Sequence, residues 1–262
     1  MSTPTTNSVA VQPVAASADY RIASLVAGMR WGTEPGVTLA YSFASATSVW
    51  DSAADEYGLA GTGSEPYTGV AALTGPQKEA VRTALATWSN VANVKFGEVP
   101  DDATTVGELR FAWSALGGTT PTHAYAPSTV AKAADVWLNS SATWDAFWNA
   151  GSDAFLDLQR AIGIALGLKS PDAGAVVAPP SEQAYFYSVM NPGAFPLSLN
   201  SWVEFNPTTP MLYDVLAIQN MYGANTTWHT GDDTYEFVQG SAYFQTIWDA
   251  GGIDTIEWSA SS

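Results

Sequence analysis

Phe155-Leu-Asp-Leu-Gln-Arg-Ala-Ile-Gly-Ile-Ala-Leu-Gly-Leu-Lys-Ser-Pro171 is the stretch on which the fold turns. Leu156, Leu158, Ile162, Ala165, Leu166 and Leu168 recur at helical spacing, which predicts a buried helix from about Ala154 to Leu168. Asp153 and Asp157 stand towards its start and Lys169 at its end, the charge order a helix dipole favours. Gly167 and Pro171 stop it. Arg160 and Ile164, one turn apart, share a face that holds a cation beside a hydrocarbon.

The chain has 262 residues, enough for one or two domains with a large core. Charged residues are scarce at 13%, whereas aromatics reach 12%. With 22 Gly and 15 Pro, this composition suits a loop-rich α+β protein better than a helical bundle. A net charge of −16 disfavours nucleic acid and anionic membranes and attracts divalent cations. No segment approaches the apolar length of a transmembrane helix. Met1-Ser-Thr-Pro-Thr-Thr-Asn7 lacks the basic and apolar regions of a signal peptide. There is no cysteine, and His123 and His229 are the only histidines. A three-histidine metal site is therefore impossible within one chain. A lone loop histidine such as His123 is more often a surface residue than a ligand.

Residues 1–18 are rich in Ser, Thr, Pro and Ala and read as a flexible tail. A short helix is expected over Tyr20 to Gly28, then an alternating strand at Val37-Thr-Leu-Ala-Tyr-Ser-Phe43. Leu73 to Ala92 carries a capping box, Thr74 with Gln77, and one apolar face. Strands are expected at Asn93–Val99 and Glu108–Trp113. Thr209-Pro-Met-Leu-Tyr-Asp-Val-Leu-Ala-Ile-Gln-Asn-Met-Tyr-Gly-Ala-Asn225 reads as a helix capped by Thr209, started by Pro210 and closed by Gly223.

Several of these segments resemble the serralysins, metzincin zinc proteases. The resemblance runs from about Ile22 to Ile256 and includes Ala-Thr-Trp-Ser-Asn-Val-Ala-Asn-Val-Lys-Phe96, Gly107-Glu-Leu-Arg-Phe111, His123-Ala-Tyr-Ala-Pro127, Ala134-Asp-Val-Trp-Leu-Asn-Ser140 and the Asp214 to Asn225 run. The family's active-site helix carries H-E-x-x-H-x-x-G-x-x-H followed by Pro. Laid over Arg160 to Pro171, Gly163, Gly167 and Pro171 match. The three ligand positions hold Arg160, Ile164 and Ser170, and the general-base position holds Ala161. Tyr185-Phe-Tyr-Ser-Val-Met-Asn-Pro192 is similar to the Met-turn, with Met190 as its methionine. Where the family's zinc-reaching tyrosine stands, this chain has Pro192. An arginine repels a metal, an isoleucine offers no donor, and an alanine cannot take a proton from bound water. Zinc is accordingly expected to be absent, with Arg160 in its place and Asp157 or Glu182 balancing the charge.

The C-terminal segment resembles the start of the family's calcium β-roll. The resemblance implies a calcium site with carbonyls of His229, Gly231 and Asp233 on one loop, and Asp249, the Gly251 carbonyl and Asp254 on the other. Asp-x-Gly-Gly-x-Asp is also an ordinary turn composition. Tandem Gly-Gly-x-Gly-x-Asp repeats are absent.

The implied architecture is metzincin-like α+β: a flexible tail over 1–18, a protease-like domain with a twisted sheet and two long helices over 19–236, and the start of a β-roll over 237–262. The implied function is that of a catalytically inactive, calcium-stabilised pseudoprotease. It would be a bacterial protein exported without an N-terminal signal peptide, monomeric, and binding a protein or peptide through the former substrate cleft. Two alternatives stand beside it: a structural or adhesive module of a longer exported protein, and a hydrolase with a non-standard site.

Overall fold

The computed structural model describes residues 9–53, 56–59, 61, 63, 65–198 and 201–260. Its order is β1 (Val11–Pro13), α1 (Tyr20–Ala23), β2 (Met29–Trp31), β3 (Val37–Phe43), α2 (Gly75–Val91), β4 (Val94–Glu98), β5 (Leu109–Ser114), β6 (Thr122–Ala124), β7 (Val136–Asn139), α3 (Asp153–Ala165), α4 (Leu212–Tyr222), β8 (Thr234–Val238) and β9 (Thr255–Ser259). The chain is a mixed α+β protein, built on a five-stranded sheet in the order β4-β3-β5-β7-β6. β4, β3, β5 and β7 run parallel, and β6 lies antiparallel on the edge beside β7. β5 alternates in sequence, yet Leu109, Arg110, Phe111 and Ala112 are all buried. A central parallel strand is covered on both faces. Its arginine is satisfied by a close pair with Asp101 at 2.8 Å and by stacking on Trp50.

The two longest helices, α2 and α3, pack on each other and supply much of the main core. Val81, Ala84, Leu85 and Trp88 come from α2; Phe155, Leu158, Ala161 and Ile162 come from α3. The expected capping box starts α2, with Gln77 Oε1 accepting from the Thr74 N–H at 2.9 Å. A smaller cluster beyond the sheet gathers Trp50, Tyr57 and Trp137.

Four sequence expectations need correction. Within the expected tail, Val11–Pro13 pair with Met29–Trp31, while residues 1–8 lie outside the described residues. That pairing is tertiary, and local composition does not encode it. α1 is one turn, capped by the Asp19 carboxylate, because the chain then bends to join Val26 to Leu168. α4 begins after Met211, not at Pro210. The Asp214 carboxylate folds back to accept from the Met211 N–H at 2.8 Å, while Thr209 Oγ1 accepts from Thr246 N–H instead. Lys169 leaves the helix end and reaches the carbonyls of Ser24 and Ala173.

Candidate functional site

α3 begins where Ser152 Oγ accepts from the Phe155 N–H at 3.1 Å, and it ends at Ala165. Two side chains occupy its last carbonyls: the Trp31 indole donates to Ala165 O at 2.8 Å and the Tyr222 hydroxyl to Leu166 O at 2.7 Å. The chain then reverses at Gly167, whose φ of +104° suits glycine. A Cβ there would stand 2.3 Å from Met29 O, so backbone crosses where a side chain would be. Gly163 faces Met190, with 2.7 Å between a would-be Cβ and the methionine sulfur. The helix and the Met190 turn thus pack at Gly163, while Gly167 lets the Met29 backbone cross.

The residue at position 160 determines what this junction can do. Arg160 Nε donates to Val189 O at 2.7 Å and its Nη2 to Asn191 O at 2.5 Å. Its Nη1 lies 3.4 Å from Asp157 Oδ1, and the guanidinium stacks on Tyr185 at 5.0 Å. Burial pushes the Asp157 carboxyl up to about 6 against the pull of Arg160. Of the two carboxylates considered as its partner, Asp157 is the one in contact. Glu182 instead accepts from the hydroxyls of Tyr20 and Tyr213, at 2.9 Å each. Ile164 packs against the main core. Ala161 is fully buried. The Ser170 hydroxyl donates to Asp172, and Pro192 is exposed.

A residue that sequence reasoning left without a role completes the junction. Asp214 is fully buried, and it accepts from Ser188 Oγ at 2.5 Å and the Val189 N–H at 2.7 Å as well as from Met211. Burial raises its carboxyl to about 6, with those three bonds opposing. An aspartate on the apolar face of a helix was the available signal. Asp135 is another buried carboxylate, pushed up to about 8 by burial; it accepts from the Tyr57 hydroxyl at 2.6 Å.

Further along the chain, β8 and β9 pair in parallel and bring two loops together. His229 Nδ1 lies 3.1 Å from Asp233 Oδ1. One donor atom each from His229, Asp233 and Asp249 falls within 4.8 Å of the others, near enough for one metal ion. Tyr235 donates to Asp249 Oδ2 at 2.5 Å and the Gly251 N–H to Oδ1 at 2.9 Å, bonds that hold this carboxyl below its ordinary range. Asp254, expected as a ligand, has one oxygen on the Asp233 N–H at 3.0 Å and stands outside the three-residue group. The Gly231 carbonyl packs on Gly252, where a Cβ would come within 2.0 Å. Hard oxygens from two loops fit calcium. An imidazole with two carboxylates also fits zinc, so these loops give no support to the expectation that zinc is absent.

His123, on the edge strand β6, pairs through Nδ1 with Glu65 Oε1 at 2.5 Å, and Tyr125 donates to the same oxygen at 3.0 Å. Burial disfavours the Glu65 anion, but these bonds outweigh it and hold the carboxyl low.

No protein-family profile matches the chain. It is 31% identical to Serralysin C of Dickeya chrysanthemi over 223 residues, 74% of this chain and 46% of that protein. It is 28% identical to Serralysin of Photorhabdus sp. over 216 residues, and 29% identical to Serralysin of Proteus mirabilis over 227 residues, 44% of each relative. The chain thus spans less than half the length of these curated relatives. No described helix is long and apolar enough to cross a membrane.

Proposed function

Because the chain is a relative of the serralysins in which no zinc ligand of their helix remains, we propose that it is a catalytically inactive, exported pseudoprotease. The observation that carries this reading is the Arg160 guanidinium, bonded to the Val189 and Asn191 carbonyls from a position that the family match gives to a zinc ligand. A cation already bonded there opposes a second one. Ala161 supplies no general base, and Pro192 no hydroxyl for a developing oxyanion. The retained packing keeps the junction intact without its chemistry. The former cleft then serves binding. Its candidate ligand is an extended protein segment, since β6 is an edge strand whose outer side pairs with no described strand.

The loop pair at residues 229–233 and 249–254 is read as a structural cation site at the start of a β-roll. The carbonyls of His229, Gly231 and Asp233 on one loop, with Asp249, the Gly251 carbonyl and Asp254 on the other, would hold the ion. Calcium there supplies positive charge to an acidic pair of loops and fixes β8 and β9 to the body of the protein. Export fits this reading and that of the relatives as proteases of the serralysin type. Ile256 and Trp258, 72% and 67% exposed, favour a second reading: a structural module that packs against a further β layer.

A peptide panel with fluorescent quenched substrates, incubated with the protein in zinc and calcium, tests the leading reading. Cleavage no faster than without protein supports it. Turnover that a chelator abolishes overturns it.

A further inference from the structure

The cation loops carry a donor for which calcium has little use. Calcium takes oxygen from carboxylates, carbonyls and water. An imidazole nitrogen suits first-row transition ions. We propose that His229, Asp233 and Asp249 form a site for a divalent transition ion, zinc foremost, with the His229 ring itself as a ligand. The inference rests on reading this loop pair as a cation site and adds which class of ion it selects.

The three donors converge from both loops, His229 and Asp233 from one and Asp249 from the other. His229 Nδ1 and Asp233 Oδ1 are 3.1 Å apart, close to the roughly 3.3 Å between neighbouring ligands of a tetrahedral zinc with bonds of about 2.0 Å. Three protein ligands with one position left for water is a known zinc arrangement, whereas calcium asks for about six to eight oxygens. Asp254, whose side chain lies beside Asp249, and Asp232 stand outside the three-residue group. Each accepts a backbone N–H of the opposite loop, from Asp233 at 3.0 Å and from Ile253 at 2.8 Å.

The surroundings hold these ligands in place. The His229 ring sits edge-on to Trp228 at 4.6 Å and faces Tyr235 at 5.7 Å. Tyr235 also anchors Asp249 through its hydroxyl, so one side chain orients two members of the group. Outer bonds of this kind fix the donor atoms of metal ligands before the ion arrives. The backbone of His229 itself adopts φ +48°, which non-glycine residues seldom do. The competing explanation is a plain ion pair between protonated His229 and Asp233.

The test uses the full chain stripped with chelator and titrated separately with zinc chloride and calcium chloride by calorimetry. Cobalt(II) absorption reports nitrogen ligation. We expect one equivalent of zinc, a zinc affinity that falls more than about tenfold in His229→Gln, and calcium binding that this variant leaves in place. His123→Gln serves as a control and should change neither. Equal zinc affinity in His229→Gln and the parent, as a plain ion pair or a site elsewhere would give, overturns the proposal. Calcium binding without zinc binding overturns it alone, leaving the structural cation reading intact. Failure of both ions to bind overturns both. Circular dichroism of His229→Gln checks its fold; the ring is partly exposed, so the variant should fold as the parent does.

Discussion

Arg160 makes two charge-assisted bonds to carbonyls of the Met190 turn and neutralises Asp157 across one helical turn. Removing it would leave two carbonyls without that donor and one half-buried carboxylate without its cation. Arg160→Ala should therefore lower stability by about 2–4 kcal/mol, read by urea unfolding. Arg160→Lys, which cannot fork between two carbonyls, should fall between. Asp135 gives a pH dependence whose sign is fixed. Its carboxyl, raised to about 8 in the folded chain, returns to about 4 on unfolding. Between those values the native state holds a proton that the unfolded chain releases, so this group's share of stability falls as pH rises from about 4 to 8. Asp135→Asn keeps an acceptor for Tyr57 and removes the proton. Its urea midpoint should drop less between pH 5 and pH 8 than that of the parent; an unchanged drop would contradict the assignment.

α3 is kept by glycine geometry at two points with different tolerances. At Gly167 a side chain would meet the Met29 carbonyl in a left-handed backbone, and neither can yield. At Gly163 the nearest atom is the tip of Met190, which can move, and alanine gains about 1 kcal/mol in helix propensity. Gly167→Ala should thus cost several kcal/mol and Gly163→Ala no more than about 2 kcal/mol, measured by thermal unfolding. The apolar spacing and the two glycines made α3 and its stop legible. α4 was placed too early because Thr209 and Pro210 carry an ordinary start signal, while the Asp214 cap acts from inside the helix. The same holds for the sites. The family match implies zinc ligands missing at Arg160, Ile164 and Ser170 and the general base missing at Ala161. What Arg160 bonds instead lies at Val189 and Asn191, in a turn brought to it only by folding. Likewise Asp254 has a ligand's spacing, and only folding brings one of its oxygens to the Asp233 N–H of the opposite loop.

Across the whole molecule, a net charge of −16 attracts divalent ions. Saturating calcium should stabilise the chain by about 2.7 kcal/mol at a hundredfold excess over its dissociation constant, and Asp249→Asn should remove most of that gain. The shift in thermal midpoint with calcium measures it. We infer that Arg160 takes the place of a zinc ion at the junction of α3 with the Met190 turn. Anomalous diffraction at the zinc edge, from crystals grown with zinc and calcium, examines that point directly. We expect no zinc peak between Arg160 and Met190, and the guanidinium on the Val189 and Asn191 carbonyls. A zinc peak at that junction, with Arg160 swung away, would contradict the claim.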